Sequence, residues 1–176
     1  MDNTERITEL VDKLLELSDA NSQTVIERSD KVKAIQIAQQ AVKQSGIVEQ
    51  NRLQFTLQAT PENGELTLLT NLQKACRVLV LLLHNARKFT KKGSVTLSIE
   101  RQGAYVCFMV TDTGIGIPAE EAQNIFEEFV QLDEYYDGAG IGLTVARSLA
   151  RRMGGDVTLD TTYTEGARFA FKLPTA

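Results

Sequence analysis

The spacing of hydrophobic positions changes along the chain, and each spacing predicts a kind of secondary structure. Residues 5–20 place apolar side chains at three- and four-residue steps between charged ones, which indicates one buried stripe on a helix. Residues 52–59 alternate apolar and polar positions, as in a strand with one buried face. The same criteria predict helices over 30–45, 70–89, 120–126 and 141–153, and strands over 95–100, 105–111, 156–160 and 168–173. Thr70 is expected to cap the helix over 70–89.

The order of these elements indicates the fold class. Helices and strands follow one another without strict β-α-β alternation, which predicts an α+β fold, a two-layer α/β sandwich with a mixed β-sheet. A length of 176 residues suits one such domain. We therefore expect one domain over residues 23–176, preceded by a helical segment and linker over residues 1–22.

Composition excludes several classes of function. The 19 Lys and Arg residues against 23 Asp and Glu give a net charge of −4, without the basic stripe of a protein that binds nucleic acid through bulk charge. The longest apolar run, residues 78–83, is too short to span a bilayer, and no secretory signal opens the chain. We therefore expect a cytoplasmic chain that makes no membrane contact. The single histidine disfavours a Ser-His-Asp triad, and Cys76 and Cys107 are expected in the core.

The helix over 70–89 carries the first candidate for chemistry. At about 100° per residue, one side of this helix carries Leu81, Leu82, Asn85, Lys88 and Phe89. An amide oxygen can ligate Mg²⁺, a lysine can bind phosphate, and an aromatic ring can lie against a base. By themselves these residues leave open the more common alternative, an asparagine that is solvated or bonded to the backbone.

A glycine motif, DTGIGI (112–117), follows the strand over 105–111. Gly114 and Gly116 would let the backbone approach a flat ligand, and the Asp112 carboxylate could accept a hydrogen bond from an exocyclic amine. The alternative for this motif alone is a plain turn.

A second glycine motif opens the helix over 141–153. Its alternating glycines are Gly138, Gly140 and Gly142. Free backbone N–H groups at the positive end of a helix suit a polyphosphate. The alternative for this motif alone is a hinge.

Taken in order, these motifs resemble the histidine-kinase branch of the ATPase superfamily that includes gyrase B and the heat-shock chaperone ATPases. HNARKFT (84–90) looks like the N box of that family, and DTGIGI (112–117) looks like its first glycine box. IFEEFVQLD, with Phe126 and Phe129, matches its F box, and GAGIGL (138–143) matches its second glycine box. The resemblance covers residues 45–176. The segment RITELVDKLLELSDANS resembles, less specifically, the end of the dimerisation hairpin that precedes the ATP domain in such kinases.

The resemblance implies a Bergerat-type ATP-binding fold, with ATP held between the N-box helix and a lid over residues 119–137. By position, Asn85 would ligate Mg²⁺ and Lys88 would approach the phosphates, which makes these two the catalytic candidates. Asp112 would bind the adenine amine. The other nucleotide-binding residues that it implies are Phe89, Gly114, Gly116, Phe126, Phe129, Gly138, Gly140, Gly142 and Leu143.

The function that the resemblance implies is that of the ATP-binding catalytic domain of a two-component sensor histidine kinase. Such an enzyme transfers the γ-phosphoryl group of MgATP to a histidine, here on an upstream acceptor hairpin that is not present in the chain. The implied partners are this hairpin, a downstream response regulator in a phosphorelay, and a second copy bound through the N-terminal helix. The parent protein is compatible with a membrane anchor. The alternative is a nucleotide-binding regulatory or docking module, a pseudokinase without phosphotransfer.

Three departures from the family pattern bear on the mechanism. Leu81 stands where relatives carry an Asn or a general-base Glu, and a leucine cannot activate water, which favours transfer over hydrolysis. The lid sequence EEFVQLDEYYD (127–137) contains no Arg or Lys, so charge stabilisation of the γ-phosphate is expected from Lys88, Mg²⁺ or another chain. His84 lies about 100° round the helix from Asn85 and is expected to be a surface residue rather than the acceptor.

Overall fold

A five-stranded β-sheet organises the part of the chain that the structure describes, which is a computed structural model of residues 24–49, 53–118, 120, 122, 124–126 and 139–175. Its helices are α1 (Ala34–Ser45), α2 (Pro61–Gly64), α3 (Leu72–Phe89) and α4 (Ala139–Arg152), with 3-10 turns at Ile47–Glu49 and Asn124–Phe126. Its strands are β1 (Asp30–Lys33), β2 (Leu53–Gln58), β3 (Thr67–Thr70), β4 (Gly93–Gln102), β5 (Tyr105–Asp112), β6 (Asp156–Leu159) and β7 (Arg168–Pro174).

The sheet contains both parallel and antiparallel pairs. Its strand order is β2-β4-β5-β7-β6, in which β2 and β4 run parallel and the other neighbouring strands run antiparallel. Alternate residues of β4, Val95, Leu97 and Ile99, are buried in one core together with apolar side chains of α1, α3 and α4. The predicted α+β sandwich with a mixed sheet is confirmed.

The first strand replaces part of a predicted helix. Residues 30–33, expected to begin the helix over 30–45, form β1 and pair with β3, with Lys33 opposite Thr67. This part of the prediction was wrong because two four-residue strands acquire their hydrogen bonds only from each other, and neither shows a long alternating pattern. The Asp30 carboxylate also accepts a hydrogen bond from the Leu72 backbone nitrogen at 2.9 Å, so β1 supports the start of α3.

The N-terminus of α3 is capped one residue later than predicted. The side-chain oxygen of Asn71 accepts a hydrogen bond from the Lys74 backbone nitrogen at 3.0 Å. Thr70 is not the cap, because it ends β3 and its hydroxyl is buried against the sulfur of Met153 at 3.8 Å. The side of the helix opposite Asn85 lies in the core, since its members are all buried: Cys76, Leu79, Val80 and Leu83.

Both cysteines are buried and free of disulfides, as predicted. Burial raises the pKa of the Cys76 and Cys107 thiols to about 11. Both thiols are therefore protonated at neutral pH and serve as core residues.

Several predicted features lie outside the described residues. They are the helix over 5–20, the domain boundary after residue 22, the sequence 127–137, Phe129 and Gly138. Within the described residues, the short helix expected over 120–126 is a 3-10 turn, Asn124–Phe126. No helix in the described ranges has the length and apolar character needed to cross a membrane.

Candidate functional site

A buried carboxylate stands at the end of β5. Asp112 is 2% exposed, and its Oδ1 accepts hydrogen bonds from the backbone nitrogens of Gly114 at 2.9 Å and Ala167 at 3.1 Å. One donor belongs to the turn after β5 and the other to the segment before β7. Because two backbone groups fix Oδ1, the orientation of the whole carboxylate is set.

The environment of Asp112 opposes its negative charge. Burial raises the pKa of its carboxyl group above the ordinary value, while hydrogen bonds from Gly114, Ala167 and the Thr90 hydroxyl act in the lowering direction. Burial wins, so the ionised form is less favourable here than in the unfolded chain. A further hydrogen-bond donor from a ligand would relieve that cost.

The turn after Asp112 lies against the C-terminal end of α3. A Cβ atom at Gly114 would overlap the carbonyl oxygen of Phe89, and the Ile115 backbone nitrogen donates to that same oxygen at 3.3 Å. Gly116 has a φ of +75°, a left-handed conformation that favours glycine. The first glycine motif therefore allows close approach between backbones, and the plain-turn alternative leaves the buried Asp112 unexplained.

Asn85 lies on α3, one turn before this contact, and is 6% exposed. Its Oδ1 has no hydrogen-bond partner among the described residues. The alternative of a solvated or backbone-bonded asparagine therefore does not hold for this oxygen. Leaving a buried acceptor unpaired costs about 1–3 kcal/mol, which a ligand would offset.

This unpaired oxygen fits a hard cation. No group of three or more His, Cys, Asp or Glu side chains in the described ranges could hold a metal ion. Mg²⁺ takes oxygen ligands, keeps several waters and commonly binds through only one or two protein groups together with phosphates. One buried amide oxygen suits such a metal better than a site formed by protein ligands alone.

The start of α4 lies beside α3. Gly140 and Gly142 fall in the first turn of α4, which begins at Ala139 rather than at the predicted residue 141. A Cβ atom placed on Gly142 would lie 3.7 Å from Cδ2 of Leu81 on α3. The first backbone N–H groups of a helix have no intrahelical acceptor, so this end can bind an anion near α3.

The remaining predicted residues divide by burial. Lys88 is exposed, and Phe89 and His84 are partly buried near the end of α3. The side chains of Phe126 and Leu143 are buried in the core. The role of each as a nucleotide contact stays a prediction.

Three residues that support Asp112 were missed in the sequence. Ala167 contributes only its backbone nitrogen, which has no sequence signal, whereas Thr90 and Tyr163 act through hydroxyl groups. The Tyr163 hydroxyl donates to the Asp112 carbonyl oxygen at 3.3 Å. Gly166 was the available signal, because a Cβ atom at that position would overlap the same carbonyl oxygen.

Sequence comparisons bear out the resemblance. A family model described as histidine kinase-, DNA gyrase B-, and HSP90-like ATPase matches residues 70–176. The circadian input-output histidine kinase CikA of Synechococcus elongatus is 36% identical over 137 residues, which cover 68% of this chain and 18% of CikA. The aerobic respiration control sensor protein ArcB of Escherichia coli is 34% identical over 131 residues, covering 71% of this chain and 17% of ArcB. The chain thus spans less than a fifth of either relative.

Solved structures give the same result for the fold. Full-length ShkA in complex with AMPPNP matches with a TM-score of 0.82 and 29% identity, over 97% of this chain and 36% of ShkA. The catalytic domain of the histidine kinase ThkA matches with a TM-score of 0.70 and 20% identity, over 82% of this chain and 95% of that domain. At that identity ThkA shows the fold alone. The relatives are named as sensor kinases, so the pseudokinase alternative gains no support.

The pKa of Asp112 predicts a pH dependence of stability. Because the folded-state pKa is raised, the contribution of this group to the free energy of unfolding is present at low pH and is lost as pH rises through that pKa. Asp112→Asn removes the titration, so the stability of the variant relative to wild type should improve between pH 4 and pH 7. Urea unfolding at a series of pH values measures this difference.

Asp160→Asn is the matched control of opposite sign. Hydrogen bonds from the Thr162 hydroxyl and backbone nitrogen lower the pKa of Asp160. Its stabilising contribution is present above the unfolded pKa, near 4, and is lost as pH falls. The relative stability of this variant should therefore worsen as pH rises toward 4 and stay constant between pH 4 and pH 7, where that of Asp112→Asn improves. A difference for Asp112→Asn that does not change with pH would contradict the prediction.

Proposed function

The chain belongs to the family of histidine kinase-, DNA gyrase B- and HSP90-like ATPases, and from this premise we propose that it is the catalytic, ATP-binding portion of a two-component sensor histidine kinase. It transfers the γ-phosphoryl group of MgATP to a histidine on an acceptor hairpin of the parent protein. The observation that carries the proposal is the convergence of the buried Asp112 carboxylate and the unpaired Asn85 oxygen on the C-terminal end of α3.

Asp112 is the group that recognises adenine. Its Oδ1 is taken by two backbone nitrogens, which leaves Oδ2 as the acceptor for the exocyclic amine of the base. Gly114 and Gly116 let the turn after β5 pack closely on the backbone of Phe89 and Gly166, and this packing would shape the base pocket. Phe89, partly buried at the end of α3, supplies an apolar wall.

The phosphates lie between α3 and the start of α4. Asn85 would hold Mg²⁺, which supplies positive charge that neutralises the phosphate oxygens. Lys88 provides a second positive charge, and the first turn of α4, with Gly140 and Gly142, provides backbone donors. These groups bind and orient the nucleotide so that the incoming imidazole nitrogen and the leaving ADP oxygen lie in line.

The proposed reaction is transfer rather than hydrolysis. No Asp or Glu occurs along Leu72–Phe89, and Leu81, which faces the start of α4, cannot accept a proton from water. The nucleophile that attacks the γ-phosphorus is therefore expected from the acceptor hairpin of the parent protein. A new N–P bond forms as the bond from the γ-phosphorus to the bridging oxygen breaks.

The partners follow from this reaction. The acceptor is a helical hairpin of the parent protein, and a response regulator takes the phosphoryl group onward in a phosphorelay. We assign residues 1–22 to the end of that hairpin and its linker, where a second copy would bind, and residues 23–176 to the catalytic domain. Use of cellular ATP places this domain in the cytoplasm.

Asp112→Asn is expected to weaken ATP binding while the fold is retained. The backbone donors at Gly114 and Ala167 select the amide orientation that keeps an oxygen at Oδ1, so the NH₂ group must take the position of Oδ2. Two donors would then face each other, at a cost of about 1–3 kcal/mol, or roughly a 5- to 150-fold rise in Kd. Calorimetric titration measures this, and unchanged ATP affinity would refute the adenine assignment.

Asn85→Ala is expected to abolish the enhancement of ATP affinity by Mg²⁺ while leaving binding in EDTA nearly unchanged. The reason is that the variant loses the proposed protein ligand to the cation. Asn85→Asp is the matched control, because it keeps an oxygen at the same place and should keep the enhancement. Equal Mg²⁺ enhancement in wild type and Asn85→Ala would show that another group holds the metal.

The chain by itself is expected to bind MgATP and incorporate no stable phosphate. His84 is the only histidine, and its position on the flank of α3 keeps it from reaching the γ-phosphate in line. An acceptor hairpin added as a separate polypeptide should become labelled from γ-labelled ATP. Acid-labile phosphate on the isolated chain that disappears in His84→Ala would contradict this expectation, and release of free phosphate without transfer would indicate a hydrolytic ATPase instead.

A further inference from the structure

A partly buried arginine on α4 contacts the ring of Phe126. The Cζ atom of Arg147 lies 4.5 Å from the centroid of that ring, and the arginine side chain is 15% exposed. A cation held against an aromatic face at this distance is attracted by the ring, more strongly where water is excluded.

Phe126 is held from other directions as well. Its ring meets that of Phe169 on β7 edge to face, with centroids 6.1 Å apart. Its carbonyl oxygen accepts a hydrogen bond from the Thr144 hydroxyl at 3.0 Å. Thr144 and Arg147 are three residues apart on α4, so one turn of this helix contacts both the backbone and the ring of Phe126.

Asp156 pairs with the guanidinium of Arg147 and orients it. Its Oδ1 lies 3.4 Å from Nε of Arg147, and the same oxygen accepts a hydrogen bond from the Val157 backbone nitrogen at 2.8 Å. The contacts therefore run in series, from the first residue of β6 through Arg147 to Phe126.

In the contacts from Asp156 through Arg147 to Phe126, Arg147 lies close in sequence to the proposed phosphate-binding turn. Its helix, α4, begins with Gly140 and Gly142, the proposed phosphate donors, only a few residues before Thr144. Phe126 is the F-box residue that the sequence assigned to nucleotide binding. The contacts of its ring with Arg147 and Phe169 give Phe126 a structural role beside that site as well.

We propose that Arg147 is a positioning residue for nucleotide binding, which acts by holding Phe126 against α4 beside the phosphate end of that helix. The inference rests on the proposed function and deepens it. Arg147 touches no reacting atom in this arrangement. Its effect passes through Phe126, and Asp156 keeps the guanidinium in place.

Arg151 provides a matched control within the same cluster. Its Nε lies 3.0 Å from the same Asp156 oxygen, which is closer than Arg147, but its side chain is 56% exposed. If pairing with Asp156 were the feature that matters, loss of Arg151 should be at least as harmful as loss of Arg147. If contact with Phe126 matters, only Arg147 should be needed.

The test compares Arg147→Gln, Arg147→Lys and Arg151→Gln by ATP titration and by steady-state transfer to an acceptor hairpin, with urea unfolding to confirm that each variant is folded. Arg147→Gln should raise Kd and KM for ATP by about 3- to 30-fold, the range that a partly desolvated cation–π contact supplies. Its kcat at saturating ATP should change little. Arg147→Lys should restore part of the affinity, and Arg151→Gln should bind ATP as wild type does.

A double-mutant cycle with Phe126→Leu isolates the contact. If Arg147 acts through Phe126, the double variant should bind ATP no more weakly than Phe126→Leu alone. Additive losses, equal losses in Arg147→Gln and Arg151→Gln, or unchanged affinity in Arg147→Gln would each overturn the inference. A wild-type chain that binds no ATP would overturn the proposed function and this inference with it.

Discussion

A carboxylate buried at the end of a strand must be held by hydrogen-bond donors, and the arrangement of the candidate site depends on how Asp112 meets that requirement. One donor is local, the backbone nitrogen of Gly114, and the other comes from Ala167, 55 residues along the chain. To bring Ala167 into place, the segment before β7 passes so close to the Asp112 carbonyl oxygen that only glycine fits at position 166. The carboxylate therefore links the end of β5 to the segment before β7 and to the turn that contacts α3.

Two buried polar groups of the candidate site lower the stability of the folded chain. Burial disfavours the ionised form of Asp112 and raises its pKa. The Oδ1 atom of Asn85 is buried without a hydrogen-bond partner among the described residues. Each arrangement costs free energy that the surrounding apolar core must offset. α3 contributes stabilising and destabilising groups. Its apolar side lies in the core, while its last turns carry the buried Asn85 together with Lys88 and Phe89.

α4 likewise combines the proposed phosphate-binding turn with contacts that support its surroundings. Its first turn offers backbone donors, and its next turn contacts Phe126 through Thr144 and Arg147. The helix that begins with the proposed phosphate donors is therefore in direct contact with the F-box residue Phe126. This gives Phe126 a physical role that does not require contact with the nucleotide.

The sequence by itself determined the helix with Asn85, most of the sheet strands, the two-layer fold and the family, because hydrophobic periodicity and motif spacing are local properties of the chain. It did not determine the β1–β3 pair or the Asn71 cap, since Thr70 and Asn71 are both capping residues and only the pairing of β3 with β1 distinguishes them. It pointed to Asp112 but not to Ala167 or Tyr163, and to Phe126 but not to Arg147. Those partners contribute a backbone nitrogen, a hydroxyl group and a guanidinium that no local pattern marks, and only the folded chain brings them within hydrogen-bonding or stacking distance.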